Sequence, residues 1–193
     1  MTRTHDRFRI NYMLVVVLCF ASVVVPTARA FSEIIVIHRR LARTTPEQGY
    51  RCALQAWNQN LGLWFTPPPL ILNSGDSETG VGFVLMQIPP LGLKESIVSK
   101  DQPGGNSVRM TYKVLNPSIF TWPVQDHLGE ITFRAASEFD SEMEWRVQWT
   151  PLARWLPYFP EALKAITEFI ITYASDFVVQ LCAGSSAKED DEL

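Results

Sequence analysis

The chain has 193 residues, with 17 basic and 20 acidic side chains and a net charge of −3 at neutral pH. Cleavage of residues 1–30 as a leader would remove four basic residues and one acid and leave a domain of charge −6. A single acidic domain without a basic run excludes nucleic acid as an electrostatic partner and disfavours adhesion to anionic lipid.

The first thirty residues have the pattern of a secretory signal peptide. Arg3, Arg7 and Arg9 form a basic start, residues 13–25 are apolar and uncharged, and Ala-Arg-Ala at 28–30 is a small-x-small cleavage site. The apolar run is shorter than the ~20 residues that a membrane-spanning helix needs. We therefore expect cleavage after residue 30 rather than a retained anchor.

The end of the chain and the residue after the cut both bear on localisation. The terminal sequence Asp190-Asp191-Glu192-Leu193 is similar to the KDEL class of signals, which predicts a KDEL-type retention receptor as partner and residence in the endoplasmic reticulum lumen. An ordinary acidic tail, and hence secretion, is the alternative. Phe31 resembles the start of plastid presequences in algae with complex plastids, but Glu33 and the apolar residues 34–37 leave no room for a transit segment.

The domain begins with a strand and a helix. Residues 33–42 are rich in Ile and Val and predict the first strand. Thr45, Pro46 and Glu47 are a helix start, with a hydroxyl cap, a proline in the first helical position and an acid in the first turn. This helix should reach about Asn58. A second short helix is expected at residues 60–65, before the prolines at 67–69 return the chain to an extended form.

Six short strands follow, separated by turn-rich segments at a spacing typical of an antiparallel meander. Their predicted bounds are residues 70–73, 81–88, 94–100, 108–114, 128–135 and 142–149. Alternation in the last two strands puts their apolar side chains on one face, which should look inward. His127 shares that face with Gly129, Ile131 and Phe133, and it is the one ionisable side chain that the alternation places inward.

The last element is a long amphipathic helix. Apolar side chains recur at spacings of three and four and predict one buried face laid across the sheet, formed by Leu163, Ile166, Ile170, Tyr173, Phe177 and Leu181. Two acids in the same stretch, Glu168 and Asp176, argue against a membrane-spanning helix. Residues 31–183 thus form one domain, followed by a flexible acidic tail at residues 184–193.

Two cysteines remain after the leader is removed, Cys52 and Cys182. A luminal compartment permits a disulfide, but Cys52 lies about 200° from Tyr50 on a helical wheel, off the predicted buried face. Pairing requires the two helices to lie side by side, so two free thiols are the default expectation. The two cysteines and two histidines of this part are not clustered, so no metal site and no cofactor are expected.

The order of these elements resembles the helix-grip fold of the START/pollen-allergen/polyketide-cyclase (SRPBCC) superfamily. The details are most similar to its polyketide cyclase/dehydrase branch. The resemblance covers residues 34–181 and is carried by Trp57, Trp64 before Pro67–Pro69, Gly80-Val-Gly82, His127-Leu-Gly-Glu-Ile131 and Glu144-Trp-Arg-Val147. It implies an α+β fold, in which a curved antiparallel sheet of about seven strands wraps around the C-terminal helix, with two short helices after the first strand.

The resemblance also implies a deep apolar cavity between the sheet and the long helix. The candidate ligand contacts are Trp57, Trp64, Tyr112, Trp122, Phe133, Trp145, Ile166, Ile170 and Tyr173. For each of them, core packing is the alternative role. His127 is a candidate acid/base, because an imidazole titrates near neutrality; a histidine bonded to a neighbour at a strand end is the alternative.

Three functions fit these expectations. The leading hypothesis is a monomer that binds, or transports, a small hydrophobic molecule such as a lipid, sterol or polyketide. The rival is a cyclase or dehydratase that acts on a polyketide-like substrate through His127, which requires at least two polar groups converging in the pocket. The third is a lipid-transfer protein with transient membrane contact, which requires an exposed apolar rim.

Overall fold

Seven strands and two helices form the described part of the molecule. The structure is a computed structural model that describes residues 32–58, 70–87, 92–118, 121–153 and 156–190. The expected second short helix, with Trp64, lies outside these residues, as do the leader and residues 191–193. The elements are β1 Glu33–Leu41, α1 Pro46–Asn58, β2 Leu70–Ser74, β3 Phe83–Gln87, β4 Leu93–Asp101, β5 Ser107–Val114, β6 Val124–Ala135, β7 Ser141–Pro151 and α2 Phe159–Asp190.

The strands form one curved antiparallel sheet in the order β1-β7-β6-β5-β4-β3-β2. The first strand pairs with the last, from Glu33 opposite Trp149 to Leu41 opposite Ser141. The predicted alternation of the last strand is confirmed, because Met143, Trp145, Val147 and Trp149 are all buried on the inner face. The expected α+β fold with a seven-stranded sheet is therefore confirmed.

A bulge near the start of β6 brings His127 inward. The pairing of β6 with β7 slips between Gln125 and Leu128, so residues 126 and 127 both lie opposite Trp149. Asp126 takes the left-handed backbone conformation that this kink requires, with φ of 54°. The strand begins at Val124, four residues before the predicted start. In a regular strand Val124 and His127 would face opposite sides, because they are an odd number of positions apart. The bulge puts both on the inner face.

Helix α1 covers the centre of the sheet. A capping box starts it: the Thr45 hydroxyl accepts from the Gln48 backbone N–H at 3.2 Å, and the Gln48 side chain accepts from the Thr45 N–H at 2.8 Å. Tyr50 and Trp57 are buried on the face that packs against β5, β6 and β7. Gly49 permits this close packing, because a Cβ there would lie 2.6 Å from the ring of Phe133.

Helix α2 packs against β1 and α1, and its buried face differs from the predicted one. The buried stripe consists of Leu163, Thr167, Ile171, Ala174, Ser175, Val178 and Cys182. The predicted stripe shares Leu163 but is otherwise one residue out of step, so Ile166 and Tyr173 are exposed. The prediction was wrong because large apolar residues were counted, whereas Ala174 and Ser175 are the small side chains that let the helix approach its neighbours.

Two ion pairs fasten α2 to β1. Lys164 lies 3.3 Å from Glu33, and Arg39 lies 2.7 Å from Asp176. Over Phe159–Gly184 the same helix is long and apolar enough, by length and composition, to cross a membrane. Its buried stripe and these ion pairs tie it to the folded domain. The helix continues to Asp190 and thus includes residues 184–190, the first part of the tail expected at residues 184–193.

A disulfide joins the two helices. Cys52 of α1 and Cys182 of α2 are bonded, with their Cα atoms 5.6 Å apart and 130 residues between them in sequence. Both side chains are buried. The default expectation of two free thiols is therefore wrong. Cys52 does lie off the face of α1 that packs on the sheet, as the helical wheel predicts, but α1 has a second buried side, against α2.

Candidate functional site

Four ring side chains meet between α1 and the inner face of the sheet, and we call them the aromatic site: Trp57, Tyr112, His127 and Trp145. The ring centroids of Trp57 and Tyr112 are 4.7 Å apart, and those of Tyr112 and His127 are 5.8 Å apart. Trp145 lies 6.3 Å from Tyr112 and 6.4 Å from Trp57. The fold thus brings together four residues that the sequence analysis named separately, from α1, β5, β6 and β7.

Tyr112 lies at the centre of the aromatic site and is held in two ways. It pairs with Gly129 across β5 and β6, and its ring covers that glycine so closely that a Cβ would lie 2.0 Å from the ring. The indole Nε1 of Trp145 donates a hydrogen bond of 2.9 Å to the Tyr112 hydroxyl. Gly129 is therefore required for space, and the phenol oxygen has a fixed position in the core.

Burial keeps both titratable groups of the site uncharged near neutrality. Burial raises the pKa of Tyr112, and the nearby carboxylate of Glu95 raises it further. Burial lowers the pKa of His127 to about 4, so the imidazole is neutral at physiological pH. The predicted histidine that titrates near neutrality is thus a neutral hydrogen-bonding group in the folded protein.

Four buried side-chain polar atoms have no hydrogen-bond partner within the described part of the chain: Nε1 of Trp57, Nδ1 of His127, Nε1 of Trp149 and Oγ of Ser141. Trp149 follows Trp145 on the inner face of β7 and lies directly opposite the bulge that carries His127. A buried donor or acceptor left unpaired costs roughly 1–3 kcal/mol, so such atoms are few in native proteins. The aromatic site and its border hold three of them.

Glu95 is an inward-facing acid that the sequence analysis missed. Glu95 pairs with Val114 and lies two residues along β4 from Ile97, which pairs with Tyr112. The side chain of Glu95 is half-buried on the inner face. Arg39 and Lys100 also face inward, where they bind Asp176 and Glu47. The statement that His127 is the one ionisable inward side chain is therefore wrong. The alternation of Leu93, Glu95 and Ile97 was the available signal.

The other predicted contacts lie apart from the aromatic site. Phe133 is fully buried against Gly49, as core. Trp122 is half-buried beside the core and forms an isolated β-bridge with Ser118. Ile166, Ile170 and Tyr173 lie on α2 with Phe169, and we call these four residues the α2 band; Ile166, Phe169 and Tyr173 are exposed. A ligand-contact role for these residues, and for Trp64, stays a prediction.

A groove of about 730 Å³ lies between α1 and the turn that joins β2 to β3. Its lining is mostly polar or charged and includes Glu47, Arg51, Glu78 and Lys100. Lys100 binds Glu47 at 2.7 Å and lies over the ring of Tyr50. Because these charges are largely paired with one another, the groove does not fit an apolar ligand. No group of three or more metal-binding side chains occurs among the residues described.

Solved structures with the same fold were found, whereas no protein-family model and no curated protein matches the sequence. Norcoclaurine synthase from Thalictrum flavum, in complex with dopamine and hydroxybenzaldehyde, has a TM-score of 0.57 at 12% identity, covering 85% of this chain and 98% of that one. XoxI from Bacillus cereus has a TM-score of 0.52 at 18% identity, with 76% and 93% covered. A protein from Thermus thermophilus has a TM-score of 0.51 at 8% identity, with 80% and 99% covered.

The chain has the helix-grip fold of these solved structures, so the fold that the resemblance implied is confirmed. Identities of 18% or less show the fold alone. Ligand and activity therefore have to be argued from the residues of the site.

Proposed function

We propose that this protein binds a small hydrophobic molecule between α1, the inner face of the sheet and α2, with the aromatic site as one wall. The observation that carries the proposal is the aromatic site itself. It combines closely packed rings, a fixed Tyr112 hydroxyl and the unpaired atoms of Trp57 and His127. A mostly apolar wall with a few placed polar groups is the usual composition of a small-molecule site.

The fold supports the same proposal. The norcoclaurine synthase of this fold was solved with dopamine and hydroxybenzaldehyde, two small molecules built on an aromatic ring. The superfamily resemblance implies hydrophobic ligands more generally. Our proposal requires no cofactor for binding, because the rings and polar atoms of this chain supply all the contacts that it invokes.

The test begins with the ligand. The full chain is produced in a eukaryotic secretory host, extracted with organic solvent and examined by mass spectrometry for a co-purifying molecule. Binding of that molecule, or of an apolar fluorescent probe, should weaken at least tenfold in Trp57→Leu. Phe139→Leu is the matched control, because Phe139 is exposed at the turn between β6 and β7. A folded protein that carries nothing and binds no hydrophobic probe would overturn the proposal.

An enzyme is the second candidate, favoured by the shared inner face of Glu95, Tyr112 and His127. Glu95 is a carboxylate base, Tyr112 a protonated donor and His127 a neutral imidazole, which together could move a proton in a cyclisation or dehydration. A linear polyketone incubated with the protein should lose one water per ring closed, measured by mass spectrometry. His127→Gln and Glu95→Gln should slow that loss at least tenfold. Unchanged rates in both variants would contradict the enzyme.

Transfer between membranes is supported by the α2 band. Ile166, Phe169 and Tyr173 expose apolar surface on one side of α2, as a protein that touches lipid requires. Because the domain is acidic, the lipid it would touch is uncharged. The protein should float with phosphatidylcholine vesicles in a sucrose gradient, and Phe169→Ser should abolish flotation. A wild-type protein that stays at the bottom of the gradient would contradict transfer.

A further inference from the structure

We infer that the ligand carries an uncharged oxygen group, a ketone or a hydroxyl, which hydrogen-bonds to the atoms that the site leaves unpaired on Trp57, His127 and Trp149. The inference rests on the proposed function, because it specifies the chemistry of the molecule bound at the same site. It goes further in predicting that a plain hydrocarbon and a carboxylate are both poorer ligands than the neutral oxygen compound.

The first reason for this inference is the position of the three side chains in the interior. Trp57 and Trp149 are each about 1% exposed, and their indole Nε1 atoms have no partner in the described residues. Trp57 contacts one side of Tyr112, edge to face, and His127 contacts the same ring. Trp149 lies across the bulge from His127. Three of the four unpaired atoms therefore belong to side chains gathered around Tyr112 and the bulge, whereas the fourth, Oγ of Ser141, lies at the other end of β7.

The second reason is that these atoms need hydrogen-bond partners of a particular kind. An indole N–H is a donor and nothing else, so Trp57 and Trp149 both require an acceptor. A neutral imidazole has one donor nitrogen and one acceptor nitrogen, so His127 can bond to either part of a hydroxyl. A ketone oxygen accepts up to two hydrogen bonds, and a hydroxyl both donates and accepts. A hydrocarbon would leave all three atoms unpaired.

The third reason is the charge near the site, which favours binding of a neutral oxygen group over binding of a carboxylate. Glu95 faces the same interior and acts electrostatically on Tyr112. The inward cations Arg39 and Lys100 already bind Asp176 and Glu47, at 2.7 Å in each case. A buried carboxylate without a cation has a large desolvation cost and is repelled by a second carboxylate. The neutral oxygen is favoured for that reason.

The experiment compares three fluorescent naphthalenes that share a 2-dimethylamino group and differ at position 6. They carry a propionyl ketone, a propyl chain or a carboxylate. We expect the ketone to bind the full-length protein at least tenfold more tightly than the propyl compound, although the propyl compound is the more hydrophobic. The carboxylate should bind at least tenfold more weakly than the ketone at pH 7.

Two variants assign the effect to the indole groups. Trp57→Phe and Trp149→Phe keep a ring and remove the N–H, so each should weaken ketone binding at least threefold and leave propyl binding unchanged. Tyr158→Phe is the control: it also removes a hydrogen-bond donor from a ring, at an exposed side chain outside the aromatic site, and should change neither. Because propyl binding is measured in every variant, a loss caused by misfolding is recognised at once.

The outcomes separate the inference from the function on which it rests. If none of the three probes binds, the proposed hydrophobic site itself fails. If the propyl compound binds as tightly as the ketone, or the carboxylate binds best, hydrophobic binding stands and the inference is wrong. If the ketone is preferred but both Trp→Phe variants keep the full preference, these indoles are not its partners and the inference is overturned.

Discussion

Gly129 is the residue on which the aromatic site depends most directly. Any side chain at this position collides with the ring of Tyr112, because a Cβ would lie 2.0 Å from that ring. The ring has little room to move, since its hydroxyl is held by Trp145 and its face by Trp57. A glycine in the middle of a strand otherwise weakens the strand, so its presence is explained by this close approach.

We therefore expect Gly129→Ala to lower the free energy of unfolding by about 2–3 kcal/mol, as overpacking of a core does. The urea midpoint checks this value. Gly184→Ala is the matched control: no atom lies near its Cβ position in α2, and alanine there should stabilise the helix by roughly 0.5–1 kcal/mol. An equal effect of the two substitutions would contradict the packing argument.

His127 makes the stability of the protein depend on pH. Its pKa is about 4 in the folded protein and about 6.5 in an unfolded chain. Below pH 6.5 the unfolded state binds the additional proton, so stability is full above that pH and falls as the pH drops towards 4. The loss contributed by this imidazole should be on the order of 2–3 kcal/mol.

Urea denaturation between pH 7 and pH 4.5 measures this loss. His127→Gln should flatten the pH dependence, and the difference between wild type and variant isolates the imidazole from the carboxylates, including Glu95 on the same face. His38→Gln, on the exposed face of β1, is the control that should keep the wild-type curve. Identical curves for wild type and His127→Gln would show that His127 is not buried as described.

At the scale of elements, α2 has two apolar sides with different roles. One side is the buried stripe against β1 and α1, and the other is the α2 band, whose large side chains are exposed or half-buried. Both repeat at helical spacing, so periodicity alone cannot tell them apart. The side that buries is the one with small residues, because a helix can approach a strand closely only where its side chains are short.

Two isoleucines on α2 test this assignment. Ile171 is 3% exposed and Ile166 is 46% exposed, on the same helix and with the same side chain. Ile171→Ala should lower the free energy of unfolding by about 2–4 kcal/mol, whereas Ile166→Ala should change it by less than about 0.5 kcal/mol. Thermal and urea unfolding of the two variants give the comparison. A larger effect at Ile166 would restore the face predicted from sequence.

At the scale of the whole molecule, the disulfide joins the two helices across most of the chain. Cys52 and Cys182 close a loop with a sequence separation of 130 residues, which restricts the unfolded chain strongly. Reduction, or the double variant Cys52→Ala/Cys182→Ala, should lower the free energy of unfolding by about 2–5 kcal/mol. The double variant should not respond to reductant, and a wild-type protein whose stability is indifferent to reductant would contradict the bond.

We also propose that the protein resides in the lumen of the endoplasmic reticulum. Disulfides form and persist in oxidising compartments, so the bond between Cys52 and Cys182 supports the signal peptide predicted from the first thirty residues. Deletion of residues 190–193 should release the protein into the medium of secretory cells, measured by immunoblot against the full chain. Equal retention of both forms would mean that the terminal residues are not a retention signal.

Local sequence patterns were sufficient to predict the succession of strands along the chain, the cap of α1 at Thr45 and the inner face of β7, because spacing and capping chemistry decide these features. Alternation also placed His127 inward, and the resemblance singled out Trp57, Tyr112 and Trp145. That these four rings meet, that Glu95 faces them and that Cys52 reaches Cys182 became visible only in the folded chain. Those facts depend on the bulge at Asp126, on the small residues of α2 and on the two-sided packing of α1, and contacts between distant segments leave no periodic trace in the sequence.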